Sequence, residues 1–355
     1  MFAADSRLAS APQQTDLRPA SAVSWKQIIE PVEPFLDEVA VRLAQQVKSF
    51  DPEIAPYADY ALNGHGKQLR PALVALAAAA VGTVKDEHLK AAVIIEMVHL
   101  ATLVHDDIMD EAQLRRGRLT LASQWGNDIA VLFGDCLFAQ ALTLAAEFPT
   151  TEVCRAVASA TNTVCTGEIL QTRQPADFSF TRANYFKVLE MKTAELFALS
   201  CDLSAYLSKA SPSQRQNLRQ FGLAFGTAYQ VFDDCVDLFG SEAVAGKSLG
   251  TDLAKGKLTL PLLLAWERAS APDRVQLQRL VKQWQPASMV ALADVLAKYD
   301  TLAGSIAIMG QYLGTSREAV LTLPPSAGRD GLLGLTDYLA RQTESLGTVT
   351  ADDNP

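Results

Sequence analysis

The fold is decided by His99-Leu100-Ala101-Thr102-Leu103-Val104-His105-Asp106-Asp107-Ile108-Met109-Asp110. Its apolar residues recur at three- and four-residue spacing, the period of a helix. Asp106 and Asp110 are four apart and share a helical face, with Asp107 beside them. Three carboxylates in one turn repel each other, and water or a hard cation relieves that repulsion. Mg²⁺ prefers octahedral oxygen ligands and is commonly held by one or two carboxylates plus substrate phosphate oxygens. The pattern returns at Asp233-Asp234-Cys235-Val236-Asp237, just after Gln230-Val231-Phe232. One such turn reads equally well as solvated surface charge. Two of them, both in apolar helices, point to a grip on a metal–diphosphate cluster.

Outward from these motifs the texture stays helical from about residue 25 to 347, and alternating β-branched runs are scarce. Loops are predicted at Pro149-Thr150-Thr151, Gln174-Pro175-Ala176-Asp177, Ala271-Pro272-Asp273, Gln285-Pro286 and Leu323-Pro324-Pro325. Ser211-Pro212-Ser213-Gln214 reads as a helix start: serine caps, proline takes the first helical position and glutamine closes a capping box. Residues 1–24 are predicted to be a disordered arm and 348–355 a flexible tail around one all-α domain, 25–347. The two aspartate motifs have dissimilar flanks, and no repeat of solenoid length is present.

The 355 residues are 49% hydrophobic, enough for a large single core. A net charge of −9 argues against a nucleic-acid binder. A local basic cluster or bound metal can still reverse the field in a cleft, so an anionic substrate is compatible. The five cysteines form no CxxC pair, which disfavours a disulfide framework or zinc site and fits a reducing, cytoplasmic setting. No signal peptide is visible. The apolar run Ala72–Val81 is too short to span a bilayer, and no transmembrane segment is expected.

The basic residues fall in blocks. Gly64-His65-Gly66-Lys67-Gln68-Leu69-Arg70-Pro71 joins a loop to a helix, with glycine for close backbone approach and Lys67 and Arg70 for phosphate. Arg115-Arg116-Gly117 follows the first aspartate motif, Lys192-Thr193 lies on a later helix, and Lys247 and Lys257 flank Gly250-Thr251-Asp252. Singly, each basic residue reads as surface charge. Together they suit two diphosphates.

In order and spacing these blocks, with Gly167-Glu168, resemble the trans-prenyl diphosphate synthase family from about Gly64 to Pro261. The resemblance implies the isoprenoid synthase fold: a bundle of roughly a dozen helices around a deep central cavity, commonly a homodimer. It implies about three Mg²⁺ ions, or Mn²⁺ in their place, on Asp106, Asp107 and Asp110 and on Asp233, with Asp234 and Asp237 acting through water. Isopentenyl diphosphate would meet Gly66, Lys67, Arg70, His99 and Arg116. The allylic diphosphate would meet Arg115, Lys192, Thr193, Gln230 and Lys257, and Lys247 would help close the loop. Asp106, Asp107, Asp110, Lys192, Asp233 and Lys257 would form the catalytic set. His65, Gln68 and Tyr229 depart from the usual pattern, which touches substrate affinity and not the reaction class. His99 also reads as a satisfied core histidine, and His105 as a residue that orients a carboxylate.

Product length depends on pocket depth. The face of Asp106 is expected to continue through Thr102 and Ala101 to Val98, one turn being about 5.4 Å. None of these is aromatic, so the expected product is medium- or long-chain, with Phe133 or Phe138 on the next helix as a floor. A class I terpene cyclase shares the ionisation chemistry, but it typically carries a different second metal motif and needs no second diphosphate site. A non-catalytic subunit of a heteromeric synthase would usually have lost aspartates that are intact here.

Overall fold

The computed structural model describes residues 24–62, 66–115, 117–173, 175–240 and 249–346. Gly64, His65, Arg116 and Lys247 lie outside the described residues, as do nearly all of the expected arm and the whole tail.

Among the described residues the α-helices are α1 Trp25–Ile29, α2 Glu33–Gln46, α3 Ala55–Leu62, α4 Leu69–Val81, α5 Asp86–Met109, α6 Leu121–Trp125, α7 Asn127–Ala146, α8 Glu152–Thr172 and α9 Arg182–Leu189. They continue as α10 Glu195–Leu207, α11 Pro212–Phe239, α12 Thr251–Ala254, α13 Leu260–Arg268, α14 Ala271–Lys282, α15 Met289–Lys298, α16 Thr301–Leu321 and α17 Ala327–Gln342. The fold is all-α, as expected, with one exception of four residues. Leu114–Arg115 (β1) and Arg118–Leu119 (β2) pair antiparallel, Leu114 opposite Leu119. Arg115 therefore ends the first strand of a small hairpin, and Gly117 before its second strand takes a φ of 74°.

Local chemistry accounts for the main elements. Ser211 caps α11 by accepting from the Gln214 amide, the Gln214 side chain accepts from the Ser211 amide, and Pro212 opens the helix. α14 begins at Ala271 with Ser270 as its cap, so that predicted loop is a helix start. The buried residues from Ile28 to Leu346 form one contiguous core. At its centre lies α4, whose alanines let neighbouring helices approach closely; Pro71 through Ala78 are all buried. α5 crosses beside it, buried through Ala91–Ile95 and again at Met97, Val98, Ala101 and Val104. Its first turn carries Asp86 and Glu87, which suit the positive end of the helix dipole.

Among the described residues one helix, α7, is long and apolar enough to cross a membrane by length and composition, with mean hydropathy 1.8. Asp135 interrupts its apolar residues. Only 33% of the apolar window is buried within this chain. Val131, Leu132 and Leu142 are exposed along it.

Candidate active site

Asp106 lies in the last turn of α5 and Asp233 in the last two turns of α11, and both line one cleft of about 660 Å³. Gly66, Lys67 and Arg70 enter it from the loop and first turn of α4, and His99 and Thr102 from α5. Arg115 comes from the hairpin, Lys192 and Thr193 from the chain between α9 and α10, and Gln230 from α11. Most of the predicted phosphate-binding residues that the structure describes thus meet in one place.

Lys192 and Thr193 do not sit on a regular helix. They lie in a π-helical turn, Glu190–Ala194, inserted between α9 and α10. Such turns carry one residue more per hydrogen-bonded ring and often mark functional sites. Gly167 explains how the turn comes so close to α8: a Cβ there would stand 2.8 Å from the Lys192 amide nitrogen. That approach pairs Lys192 with Glu168 and lets its Nζ donate to Gln171 Oε1 at 3.0 Å. Removal from water pushes the Asp106 carboxyl up to about 6; Lys192 opposes this, and Glu168 and Asp110 add to it. A cation beside Asp106 would oppose that shift by favouring the charged carboxylate.

A second chain of bonds runs behind the cleft. Thr193 Oγ1 donates to Gln230 Oε1 at 3.0 Å, and Gln230 Nε2 donates to Asp234 Oδ1 at 2.8 Å. Tyr185 OH donates to Asp234 Oδ2 at 2.6 Å. Burial holds the Asp234 carboxyl well above the usual carboxylate range.

The six aspartates are not equivalent. Asp107 is turned away from Asp106, 6% exposed, and accepts from Arg115 Nε at 2.8 Å. Neighbouring residues are about 100° apart around a helix, so Asp107 cannot share the face of Asp106. α5 ends at Met109, and Asp110 is its C-cap. Asp110 lies 3.0 Å from Lys255 Nζ and 3.2 Å from Lys257 Nζ, in an adjoining cavity of about 260 Å³. Asp237 is fully buried. Its Oδ1 accepts from the Thr251 amide and hydroxyl, at 3.2 and 2.8 Å, and its Oδ2 from the Asp252 amide at 3.2 Å. The expectation of two three-carboxylate faces therefore narrows to Asp106 and Asp233 in one cleft, with Asp110 next door. Among the described residues no three carboxylate, imidazole or thiol groups converge on one point. Mg²⁺ needs no such cage when substrate oxygens complete its shell.

Beyond Asp106, between α5, α7 and α8, opens an apolar cavity of about 340 Å³ lined by Thr102, His105, Val131, Phe138, Val164 and Ile169, among others. Of the three expected chain-length positions only Thr102 lines it. Val98 and Ala101 are 1% and 0% exposed, packed on the stripe that carries Ile94 and Val104. Of the two candidate floors Phe138 lines the cavity, whereas Phe133 is buried against Phe50 at 5.9 Å between ring centres. His105 does not orient a motif carboxylate: its Nε2 lies 3.0 Å from the Val131 carbonyl and 3.7 Å from Asp135.

Gln171, Tyr185 and Lys255 join the site without having been singled out, and Glu168 entered only as part of a motif. Gln171 is one turn beyond Glu168, and Lys255 is two residues before Lys257, so proximity to quoted motifs was the available signal. Tyr185 gave none, because its contact with Asp234 bridges distant segments.

A helical shell around facing aspartates, a basic cradle and an adjoining apolar cavity defines an isoprenoid synthase. The pattern of the family described as "Polyprenyl synthetase" matches residues 51–298, and the chain belongs to that family. It is a polyprenyl diphosphate synthase, a prenyltransferase that condenses isopentenyl diphosphate with an allylic diphosphate. It is 31% identical over 321 residues to octaprenyl diphosphate synthase of Haemophilus influenzae, covering 90% of this chain and 97% of that one. Nonaprenyl diphosphate synthase of Mycobacterium tuberculosis is 35% identical, with 78% and 83% covered. The crystal structure of polyprenyl synthase from Caulobacter crescentus CB15 complexed with calcium and isoprenyl diphosphate superposes with a TM-score of 0.84 at 30% identity, covering 91% and 99%.

Proposed function

We propose that this enzyme makes a long-chain, all-trans polyprenyl diphosphate, as a Mg²⁺-dependent homodimer. The observation that carries the reading is the apolar cavity opening directly beside Asp106, at the edge of the polar cleft. A diphosphate held in the cleft would direct its hydrocarbon tail into that cavity. The octaprenyl and nonaprenyl products in the relatives' names support the same length class.

Asp106, Asp110 and Asp233 would hold Mg²⁺, or Mn²⁺ in its place, together with diphosphate oxygens. The bound metal would neutralise charge on the departing diphosphate. Asp107, Asp234 and Asp237 then act by position: each is tied to the groups that shape the cleft. Lys192 and Lys257 offer ammonium groups to the allylic diphosphate, and Lys67 and Arg70 an ammonium and a guanidinium to isopentenyl diphosphate. The allylic C–O bond breaks and its electron pair leaves with the diphosphate. The isopentenyl double bond attacks the allylic cation, a C–C bond forms, and the adjacent proton passes to the released diphosphate. The apolar walls keep water from the cation.

The second copy would cover α7, whose Leu132 and Leu142 are exposed apolar side chains on a long surface helix. An exposed apolar helix face of this kind would suit a partner surface.

The purified chain, given labelled isopentenyl diphosphate, Mg²⁺ and primers of increasing length, tests this reading. Products several units beyond farnesyl diphosphate, abolished by chelation, are expected. Products that stop at farnesyl diphosphate would overturn the length assignment. Turnover only with a second, different subunit would assign the chain to a heteromeric synthase.

A further inference from the structure

Gly134 lies in the middle of α7, buried, directly beneath the imidazole of His105 on α5. A Cβ at this position would stand 2.2 Å from His105 Nε2, 2.5 Å from Cδ2 and 3.0 Å from Cε1. It would occupy the space of the ring itself. The ring lies against the α7 backbone, its Nε2 at hydrogen-bond distance from the Val131 carbonyl, and it meets Phe138 at 5.7 Å between ring centres. His105, Val131 and Phe138 are all in the wall of the apolar cavity.

We infer that Gly134 determines product length, by letting the His105 ring lie back on α7 and leave the cavity open. The inference rests on the reading that this cavity receives the growing chain. Any side chain at 134 must displace the ring. Moving the ring takes only side-chain rotation and the loss of one hydrogen bond and of the 3.7 Å contact with Asp135, whereas parting α5 from α7 would open a packed core. The unfilled volume beside the ring is the cavity, so the displaced imidazole narrows it. His105 is then a movable part of the wall, one residue from Asp106, and Gly134 sets where it rests.

Three variants test this: Gly134→Ala, His105→Ala and the double variant, each compared with Thr102→Phe, which blocks the cavity at the Asp106 end. Product lengths are measured under saturating isopentenyl diphosphate, alongside the unfolding temperature and the KM for that substrate. Gly134→Ala is expected to shorten the main product by at least one isoprene unit with KM nearly unchanged. His105→Ala is expected to lengthen it by at least one unit. The double variant should restore the wild-type length or exceed it, because there is no ring left to displace. An unchanged product with Gly134→Ala would overturn the inference, as would a shortening that His105→Ala fails to reverse. Should Gly134→Ala not fold, an unchanged product with His105→Ala overturns it alone. If Thr102→Phe shortens the product and neither of the other positions changes it, only this inference fails. If Thr102→Phe also leaves the length unchanged, the cavity assignment falls with it.

Discussion

His88 on α5 is fully buried, far from the cleft. Its Nδ1 accepts from the Lys85 amide at 3.0 Å, and its Nε2 lies 3.3 Å from the Ser204 carbonyl and 3.1 Å from Ser208 Oγ. An acceptor role at Nδ1 requires the neutral ring. Burial lowers its pKa below the ordinary 6.5. The unfolded chain therefore binds more protons here than the folded one, and stability falls as pH drops below 6.5 toward the lowered folded value. His88→Gln removes this group. The variant should be less stable by about 1–3 kcal/mol near neutral pH, from bonds lost or misaligned in a buried position. Its deficit against the parent should shrink between about pH 7.5 and about pH 5, because only the parent loses the histidine contribution. Urea unfolding at a series of pH values checks this, and a constant deficit would contradict it. Only the Lys85 partner is local to position 88; a lone histidine on an apolar helix does not reveal Ser204 and Ser208, more than a hundred residues away.

At the scale of the element, the loop from Gly250 to Lys257 is held by Asp237. The carboxylate at the end of α11 collects the Thr251 amide and hydroxyl and the Asp252 amide at the first turn of α12. It thereby places Lys255 and Lys257 against Asp110. Asp237→Asn should destabilise even the metal-free protein, by about 1–3 kcal/mol, since an amide cannot accept all three bonds. Thermal unfolding in chelator reads this directly. A residue acting only as a metal ligand would leave that temperature unchanged. Other elements divide by the range of their causes. The α11 start was legible because its capping box lies within four residues. The π turn at Lys192 was not, because it answers to the approach of α8 at Gly167, a contact between distant segments. The hairpin at Arg115 escaped helical periodicity because two-residue strands have no period to detect.

For the whole molecule, the proposed homodimer is tested at the outer face of α7. Leu132 is 62% exposed and stands outside the cavity wall. Leu132→Glu should weaken the homodimer and yield monomer by light scattering at micromolar concentration. An unchanged mass would place the interface elsewhere. By itself the sequence determined the all-α class, the two aspartate motifs, the basic blocks and the reaction class. These depend on residue type at short spacing, which helical geometry converts directly into shared faces. Only the tertiary structure decided what each aspartate touches. Spacing can put Asp106, Asp107 and Asp110 within a turn, but it cannot say that Arg115 pairs with Asp107, that Lys255 and Lys257 take Asp110, or that α12 claims Asp237. It equally could not choose Thr102 over Ala101 and Val98 as the residue that meets the cavity. Which side of α5 is packed and which is open depends on the helices set against it, and those arrive from far along the chain.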